Sequence, residues 1–173
     1  MASLYLIHPA GTVSQVMTDF NSPTCLDPDP NTLLLIVVGP SLRAELSDRM
    51  LGYRLRERIL NWQDEMSCDP PLLPVVCTDL WYLNADELRD RPVLTIGDPE
   101  TNAATAYLAG KLPTAFIIDE TLRIHLDPDY VDLRACIWVI NPTTTVSAVD
   151  LFLERYLDGY LRSAHDLPVG GVS

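Results

Sequence analysis

The sequence predicts an α/β protein built on a three-layer sheet that is mostly parallel and includes one antiparallel hairpin. Three apolar runs, residues 33–40, 93–99 and 137–142, end in Gly-Pro, Gly-Asp-Pro or Asn-Pro and continue directly into a helix-like pattern. Residues 33–38 are six consecutive aliphatic side chains, which is typical of a central strand covered on both faces. Because the carboxyl ends of parallel strands meet at one edge of a sheet, the three strand-to-helix joints are expected to gather there.

A single domain is expected, because 173 residues with 47% hydrophobic content suffice for one buried core. The expected organisation within residues 1–173 is an N-terminal strand and loop over 1–31, a core over 32–164, and a flexible tail over 165–173.

The charge balance restricts the expected partners. The chain has 24 acidic and 12 basic side chains, a net charge of −12, so its surface repels polyanions, and neither nucleic acid nor a membrane is expected as a partner. A cytoplasmic location is expected, because the sequence shows no signal peptide, no bilayer-spanning run and no CxxC or Cys/His cluster among its four cysteines. The densest basic cluster has acids interspersed and is interpreted as a solvated helix face; it comprises Arg43, Arg49, Arg54, Arg56 and Arg58.

The remaining elements follow from periodicity and turn residues. Ser41 is expected to cap a long helix over residues 42–62, in which Leu42, Leu46, Met50 and Tyr53 recur at helical spacing. Further strands are predicted over 3–8, 75–78, 93–96, 114–119, 122–126 and 135–140, and short helices over 85–89 and 101–109. The segments 114–119 and 122–126 form the predicted hairpin.

A final helix is expected after Asn141 and Thr143, which supply its N-terminal cap. Its apolar stripe extends to Tyr160 and includes Phe152 and Tyr156. These aromatic side chains are expected to offer a self-association surface, which favours a homodimer.

The strongest candidate for a ligand site is the loop over residues 97–102. Gly97 lets the backbone approach a ligand, and the helix that begins near Asn102 offers free N–H groups. The loop contains Asp98 and no Lys or Arg, so an anion would meet like charge, and an acid-capped helix start is the preferred interpretation. The loop matches neither a dinucleotide fingerprint nor a P-loop. The other ligand-binding candidates at the joints are Gly39, Ser41, Asn141 and Thr143.

Acids at the ends of predicted strands suggest a second class of function, a Mg²⁺-dependent enzyme acting on a phosphorylated small molecule. Asp79, Asp98 and Asp119 each follow a strand, and converging carboxylates could hold Mg²⁺ and position a phosphoryl group. Their convergence depends on the strand order, which the sequence does not give, and Asp119 lies on the hairpin turn.

No residue set matches a catalytic or metal-binding motif, so the catalytic residues and any cofactor stay unknown. His8, His125 and His165 have no helical partner at i+4, and no metal site is expected. No Gly-x-Ser-x-Gly elbow for a nucleophilic serine is present.

The aromatic residues after the second joint are candidates for a binding surface. Trp81 and Tyr82 follow Asp79 and, in an extended segment, point to opposite sides, so at least one is expected to be exposed. Trp81 is therefore a candidate for a pocket wall or a protein-binding patch. Trp138 lies within a predicted strand and is expected in the core.

Residues 112–119, Leu-Pro-Thr-Ala-Phe-Ile-Ile-Asp, and residues 122–124, Leu-Arg-Ile, resemble the proline-to-hairpin segment of thioredoxin-like proteins. This resemblance covers about a dozen positions and implies a cis peptide bond before Pro113, beside a thiol site. The chain has no CxxC motif upstream, and we treat the resemblance as a shared strand-hairpin pattern.

We therefore expect a small α/β domain of Rossmann-like layering that acts by binding a protein partner or a second copy of itself, without catalysis. Exposed aromatic surface would favour this hypothesis. Convergence of Asp79 and Asp98 in one cleft would favour the Mg²⁺-dependent enzyme, and a cis peptide bond before Pro113 would favour a degenerate thioredoxin-like module.

Overall fold

The computed structural model describes residues 29–118, 122–139 and 145–167. In these residues six strands form one mixed sheet in the order β2-β1-β3-β6-β5-β4. The strands are β1 Leu33–Val38, β2 Leu73–Thr78, β3 Val93–Ile96, β4 Thr114–Ile118, β5 Leu122–Leu126 and β6 Arg134–Val139. The helices are α1 Leu42–Leu46, α2 Asp48–Met66, α3 Asp79–Asn84, α4 Ala103–Ala109, α5 Thr145–Arg155 and α6 Leu157–His165, with 3-10 turns at Pro30–Thr32 and Asp86–Leu88.

The sheet confirms the predicted fold class. Strands β2, β1, β3 and β6 are parallel, whereas β5 pairs antiparallel with both β6 and β4. From β1 the chain crosses to β2, which lies on one side of β1, and then to β3, which lies on the other side of β1. The crossover direction therefore reverses between β1 and β3, which is where α/β sheets commonly place a ligand.

The two faces of the sheet carry separate hydrophobic clusters, because alternate strand residues point to opposite faces. On one face Ile36 clusters with Leu55 of α2 and Phe152 of α5. On the other face Leu35 clusters with Tyr82 of α3 and with the buried side of α4. All six residues of β1 are buried, as expected of a central strand.

The long helix predicted over 42–62 is broken at Ser47, whose φ and ψ are −115° and −62°, and its second part continues to Met66. Its predicted apolar positions face outward: Leu42, Leu46, Met50 and Tyr53 are 77%, 70%, 68% and 53% exposed. We call these four residues the α1–α2 stripe. The buried side of α2 is instead formed by a second set at helical spacing, Leu51, Leu55 and Ile59.

Gly52 explains which side of α2 faces the sheet. A Cβ atom there would lie 3.1 Å from Val76 Cγ1 and 3.4 Å from Ile36 Cγ2, so the helix backbone lies directly on β1 and β2. The absence of a side chain permits this approach, and it turns the α1–α2 stripe away from the core.

The predicted C-terminal helix is also divided, at Tyr156, into α5 and α6. Phe152 and Tyr160 are 0% and 1% exposed, and the Tyr160 hydroxyl donates a hydrogen bond of 2.8 Å to the carbonyl of Leu133. Phe152 and Tyr160 therefore belong to the internal core and are not available for self-association, whereas Tyr156 is partly exposed, and a homodimer stays a prediction.

Other predictions have mixed outcomes. Trp81 and Tyr82 lie in helix α3 and not in an extended segment, although one is exposed and the other buried, as expected. Trp138 is buried and stacks on His125, with ring centroids 4.6 Å apart. Among the described residues the cis peptide bond is Asp69–Pro70, so the bond before Pro113 is trans and the thioredoxin-like expectation is wrong. The predicted strand over 3–8 lies outside the described residues, as do Asp119, Asn141 and Thr143.

Candidate functional site

A cleft lies at the carboxyl edge of the sheet, between the loops that follow β1 and β3. Its volume is about 10 Å³, enough for about one water molecule. Pockets for small ligands and cofactors are usually about 300 Å³ or larger. The cleft therefore has no room for a nucleotide or a sugar phosphate in this conformation. It is lined by Ser41, Arg43, Ala44, Asp48, Gly97, Asp98, Thr101 and Val139.

Asn102 joins the two strands beneath this cleft. Its side-chain amide is fully buried and donates hydrogen bonds to the carbonyls of Val37, at 3.1 Å, and Ile96, at 2.9 Å. Its Oδ1 atom accepts from the backbone N–H groups of Ala104 and Thr105 at the start of α4. Both donors and both lone pairs of the amide are thus engaged within the protein, and this predicted ligand-binding residue serves to connect β1, β3 and α4.

The glycines at the two joints allow the loops to approach each other. A Cβ atom on Gly39 would lie 2.2 Å from the carbonyl oxygen of Thr101, a distance that real Cβ atoms essentially never show. Gly97 has φ +112°, a conformation that favours glycine. The two predicted glycines therefore lie together at the edge, where the structure requires them for loop packing.

The Asp98 carboxylate is directed back onto its own loop. Its Oδ1 atom accepts hydrogen bonds from the backbone N–H groups of Glu100, at 2.8 Å, and Thr101, at 3.1 Å. On the other side of the cleft, Ser41 Oγ accepts from the N–H of Ala44, at 3.2 Å, and caps α1. Both residues occupy the predicted place and stabilise the starts of the segments that follow the strands.

Asp48 is a cleft residue that the sequence reading did not select. Its Oδ2 atom would lie 3.1 Å from a Cβ atom on Gly97, and its Oδ1 atom accepts a hydrogen bond of 2.9 Å from the Ser47 hydroxyl. Burial raises the pKa of Asp48 and the nearby Asp98 carboxylate contributes to that rise, while Ser47 and Arg43 oppose it. No local motif marked Asp48, since its position in the cleft follows from the helix break at Ser47.

Asp79 has a different environment from Asp98. Its side chain is 1% exposed, and it does not line the cleft. Its Oδ1 atom accepts from the N–H of Leu80, at 2.7 Å, and its Oδ2 atom accepts from the N–H of Ala103, at 2.8 Å. The two carboxylates of the magnesium hypothesis therefore each bind backbone amides. In the part of the chain that the structure describes, no three His, Cys, Asp or Glu side chains are grouped to hold a metal ion.

Trp81 lies next to a second exposed apolar side chain, that of Leu80. Its side chain is 48% exposed, and that of its neighbour Leu80 is 56% exposed. Both follow Cys77 of β2 closely in the chain, and Arg49 of α2 lies near enough to Cys77 to influence the pKa of that thiol, which burial raises to about 12. Helix α3 packs on the face of the sheet opposite to α2, so Leu80 and Trp81 belong to the other helical layer.

Three of the five arginines predicted to form a solvated helix face have partners on the two sides of α2. Arg49 pairs with Glu45, at 2.6 Å, and Arg56 Nε donates to the carbonyl of Pro74 in β2, at 3.1 Å. On the opposite side of α2, Arg54 pairs with Asp150 of α5, at 2.6 Å. The surface is therefore an apolar stripe with guanidinium groups on either side.

Two wider cavities lie at the opposite, amino edge of the sheet. One, of about 300 Å³, is lined by Cys68, Pro70, Leu72 and His165 among others. The second, of about 290 Å³, is lined by Arg91, Asp132 and Arg134 among others. None of these residues is among the ligand-binding candidates predicted from the sequence. None of the helices in the described ranges is both long and apolar enough to cross a membrane.

Comparison of the chain with protein-family models, curated proteins and solved structures gave no significant match. The fold and the cleft together define a three-layer α/β domain whose crossover point between β1 and β3 is closed by its own loops and by Asn102.

Proposed function

We propose that this protein is a protein-interaction domain and that the α1–α2 stripe is its binding surface. The observation that carries the proposal is the exposure of four large apolar side chains, each more than half accessible, at helical spacing over residues 42–53 of two consecutive helices. Exposed apolar side chains grouped in this way commonly mark an interaction site, whereas apolar side chains exposed singly are normal.

The carboxyl edge supports the same proposal. In many α/β proteins this edge binds a small molecule, but here the polar groups of Asn102, Asp98 and Ser41 are used by the backbone around them. The four side chains of the α1–α2 stripe, in contrast, are exposed to solvent.

The test compares a stripe variant with a matched control. The stripe variant, Leu46→Glu combined with Met50→Glu, places two carboxylates in the stripe. The control, Val131→Glu, adds one carboxylate at an 84% exposed site in the loop before β6, at the other end of the sheet. Exposed substitutions of this kind are expected to change the free energy of unfolding by about 0.5 kcal/mol or less. In one assay each protein is immobilised and challenged with extract of the cells that express the chain. In a second assay the mass of each protein in solution is measured by light scattering over a range of concentrations.

The expected result is that binding to a protein, either a partner or a second copy, is lost in the double variant and retained in Val131→Glu. Binding that survives the double variant, or the absence of any protein binding, would overturn the proposal. A rise in melting temperature with Mg²⁺ and a phosphorylated metabolite that is lost in Asp98→Asn would favour the enzyme hypothesis instead.

A further inference from the structure

The segment that carries the α1–α2 stripe has a net charge opposite in sign to that of the whole protein. Residues 42–58 contain five arginines and three acids, a local net charge of +2, in a chain whose net charge is −12. The acids of this segment are Glu45, Asp48 and Glu57. A basic, apolar surface on an acidic protein suits a partner of a particular chemistry.

The arginines are placed where they would meet such a partner. Arg56 lies on the β2 side of α2 and Arg54 lies on the α5 side, so cationic groups border Met50 and Tyr53 on both sides. Within the described ranges, Arg43 and Arg58 are exposed, and neither forms an ion pair with a carboxylate.

We propose, on the basis of the interaction function above, that the stripe binds an amphipathic segment of another protein in which apolar side chains are flanked by carboxylates. The apolar side chains would cover Leu46, Met50 and Tyr53, and the carboxylates would pair with Arg43 and Arg58. Complementary charge of this kind speeds association and discriminates against wrong partners. Helices that bind in this way present apolar residues at helical spacing.

The same charges disfavour two other occupants. A second copy related by a two-fold axis would bring its own arginine-bordered stripe against this one, so that like charges would face each other. An anionic membrane would be repelled by the rest of the chain, which is strongly acidic.

The experiment uses the full chain and two synthetic helical peptides. The first peptide carries Leu on one side and Glu on the other, and the second has every Glu replaced by Lys. Each peptide is fluorescently labelled, and its anisotropy is measured as protein is added. Four proteins are compared: the wild-type chain, the stripe variant with Leu46→Glu and Met50→Glu, the arginine variant with Arg43→Gln and Arg58→Gln, and the control Val131→Glu. The mass of each protein is measured by light scattering, and binding to vesicles of phosphatidylserine and phosphatidylcholine is measured by sedimentation.

The glutamate peptide is expected to bind the wild-type chain, with an affinity that falls as ionic strength rises, while the lysine peptide does not bind. The stripe variant is expected to bind the glutamate peptide about tenfold or more weakly than the wild-type chain does. The arginine variant is expected to bind it more weakly and with a smaller dependence on salt. Val131→Glu is expected to bind it as the wild-type chain does.

Equal binding of both peptides, or binding of neither, would overturn the inference about the partner. If, in addition, the wild-type chain forms a dimer that the stripe variant abolishes, the interaction function stands and its occupant is a second copy. Sedimentation with vesicles that is lost in the stripe variant would assign the surface to a membrane. If the stripe variant alters none of these readouts, the interaction function itself fails.

Discussion

The Asp79 carboxylate accepts a hydrogen bond of 2.8 Å from the backbone N–H of Ala103, which links the start of α3 to the start of α4. Asp79 lies directly after β2, at a position where α/β enzymes often carry a functional acid. In this protein its second oxygen is also occupied, by the N–H of Leu80, so the buried carboxylate joins two helices on one face of the sheet.

Asp79→Asn is therefore expected to lower the free energy of unfolding by about 1–3 kcal/mol, the usual range for a charged hydrogen bond or an unpaired buried group. An asparagine side chain can present an oxygen to only one of the two N–H groups and directs its NH₂ group at the other. Urea denaturation measures the change, and Asp86→Asn at an exposed position is the control. Unchanged stability together with a lost response to Mg²⁺ would instead assign Asp79 to a ligand site.

Asn102→Ala is expected to cost at least about 2 kcal/mol, because it leaves the carbonyls of Val37 and Ile96 without their donors and removes the cap of α4. Denaturant unfolding of Asn84→Ala, which loses one exposed hydrogen bond to Leu80, supplies the comparison. Equal stability of the two variants would contradict a structural role for Asn102.

The pH dependence of stability should report on Asp48. Burial raises the pKa of this carboxyl, so in the pH range between its unfolded and folded pKa the folded state holds more protons than the unfolded state. The free energy of unfolding therefore falls as pH rises through the folded pKa. At higher pH, where Asp48 is ionised in both states, its contribution no longer changes with pH. Asp48→Asn, which keeps an acceptor for the Ser47 hydroxyl, is expected to remove this decline and to be more stable than the wild type at neutral pH.

Chemical denaturation from acidic to neutral pH measures both profiles, and Asp64→Asn, exposed on the same helix, is the control. A lower stability of Asp48→Asn at neutral pH would show that the charged carboxylate stabilises the cleft.

The thiols are expected to differ in reactivity. Burial raises the pKa of Cys77 to about 12 and that of Cys136 to about 11, whereas Cys68 is partly exposed beside the larger cavity. Because the thiolate is the reactive form, Ellman's reagent at mildly alkaline pH should modify Cys68 and leave the other two unreacted in the native protein. The assay is made in a Cys25→Ser background, and Cys68→Ser should abolish the fast reaction. A fast reaction that persists in that variant would show that a buried thiol is accessible.

Much of the fold could be predicted from local patterns. The aliphatic run of β1 fits a strand covered on both faces, and the predicted joints after β1 and β3 lie at the carboxyl edge. The third predicted joint extends beyond the described residues. The exposed side of α2 could not be predicted from spacing, because both Met50 and Leu55 belong to apolar sets at helical intervals. A local indication was Gly52, at which the helix backbone lies directly on the sheet.

The position of part of the candidate site could be predicted, whereas the hydrogen-bond partners of its side chains could not. Glycines and acids at strand ends correctly indicated the edge where β1 and β3 meet. The partners that occupy Asn102 and Asp79 are distant in sequence, since Asn102 binds Val37 across 65 residues and Asp79 binds Ala103 across 24. Such contacts depend on strand order, which a single sequence does not contain.

The close approach of Gly39 to Thr101 limits how this protein can acquire a new activity at the carboxyl edge. Any side chain at position 39 would collide with the opposite loop, so single substitutions there cannot build a pocket. Evolution or design would first have to insert residues into one of the two loops and so release the amide groups that now bind Asp98. The exposed helices have no such restriction, because changes to the α1–α2 stripe leave the interior packing intact, and new specificities are expected to arise there first.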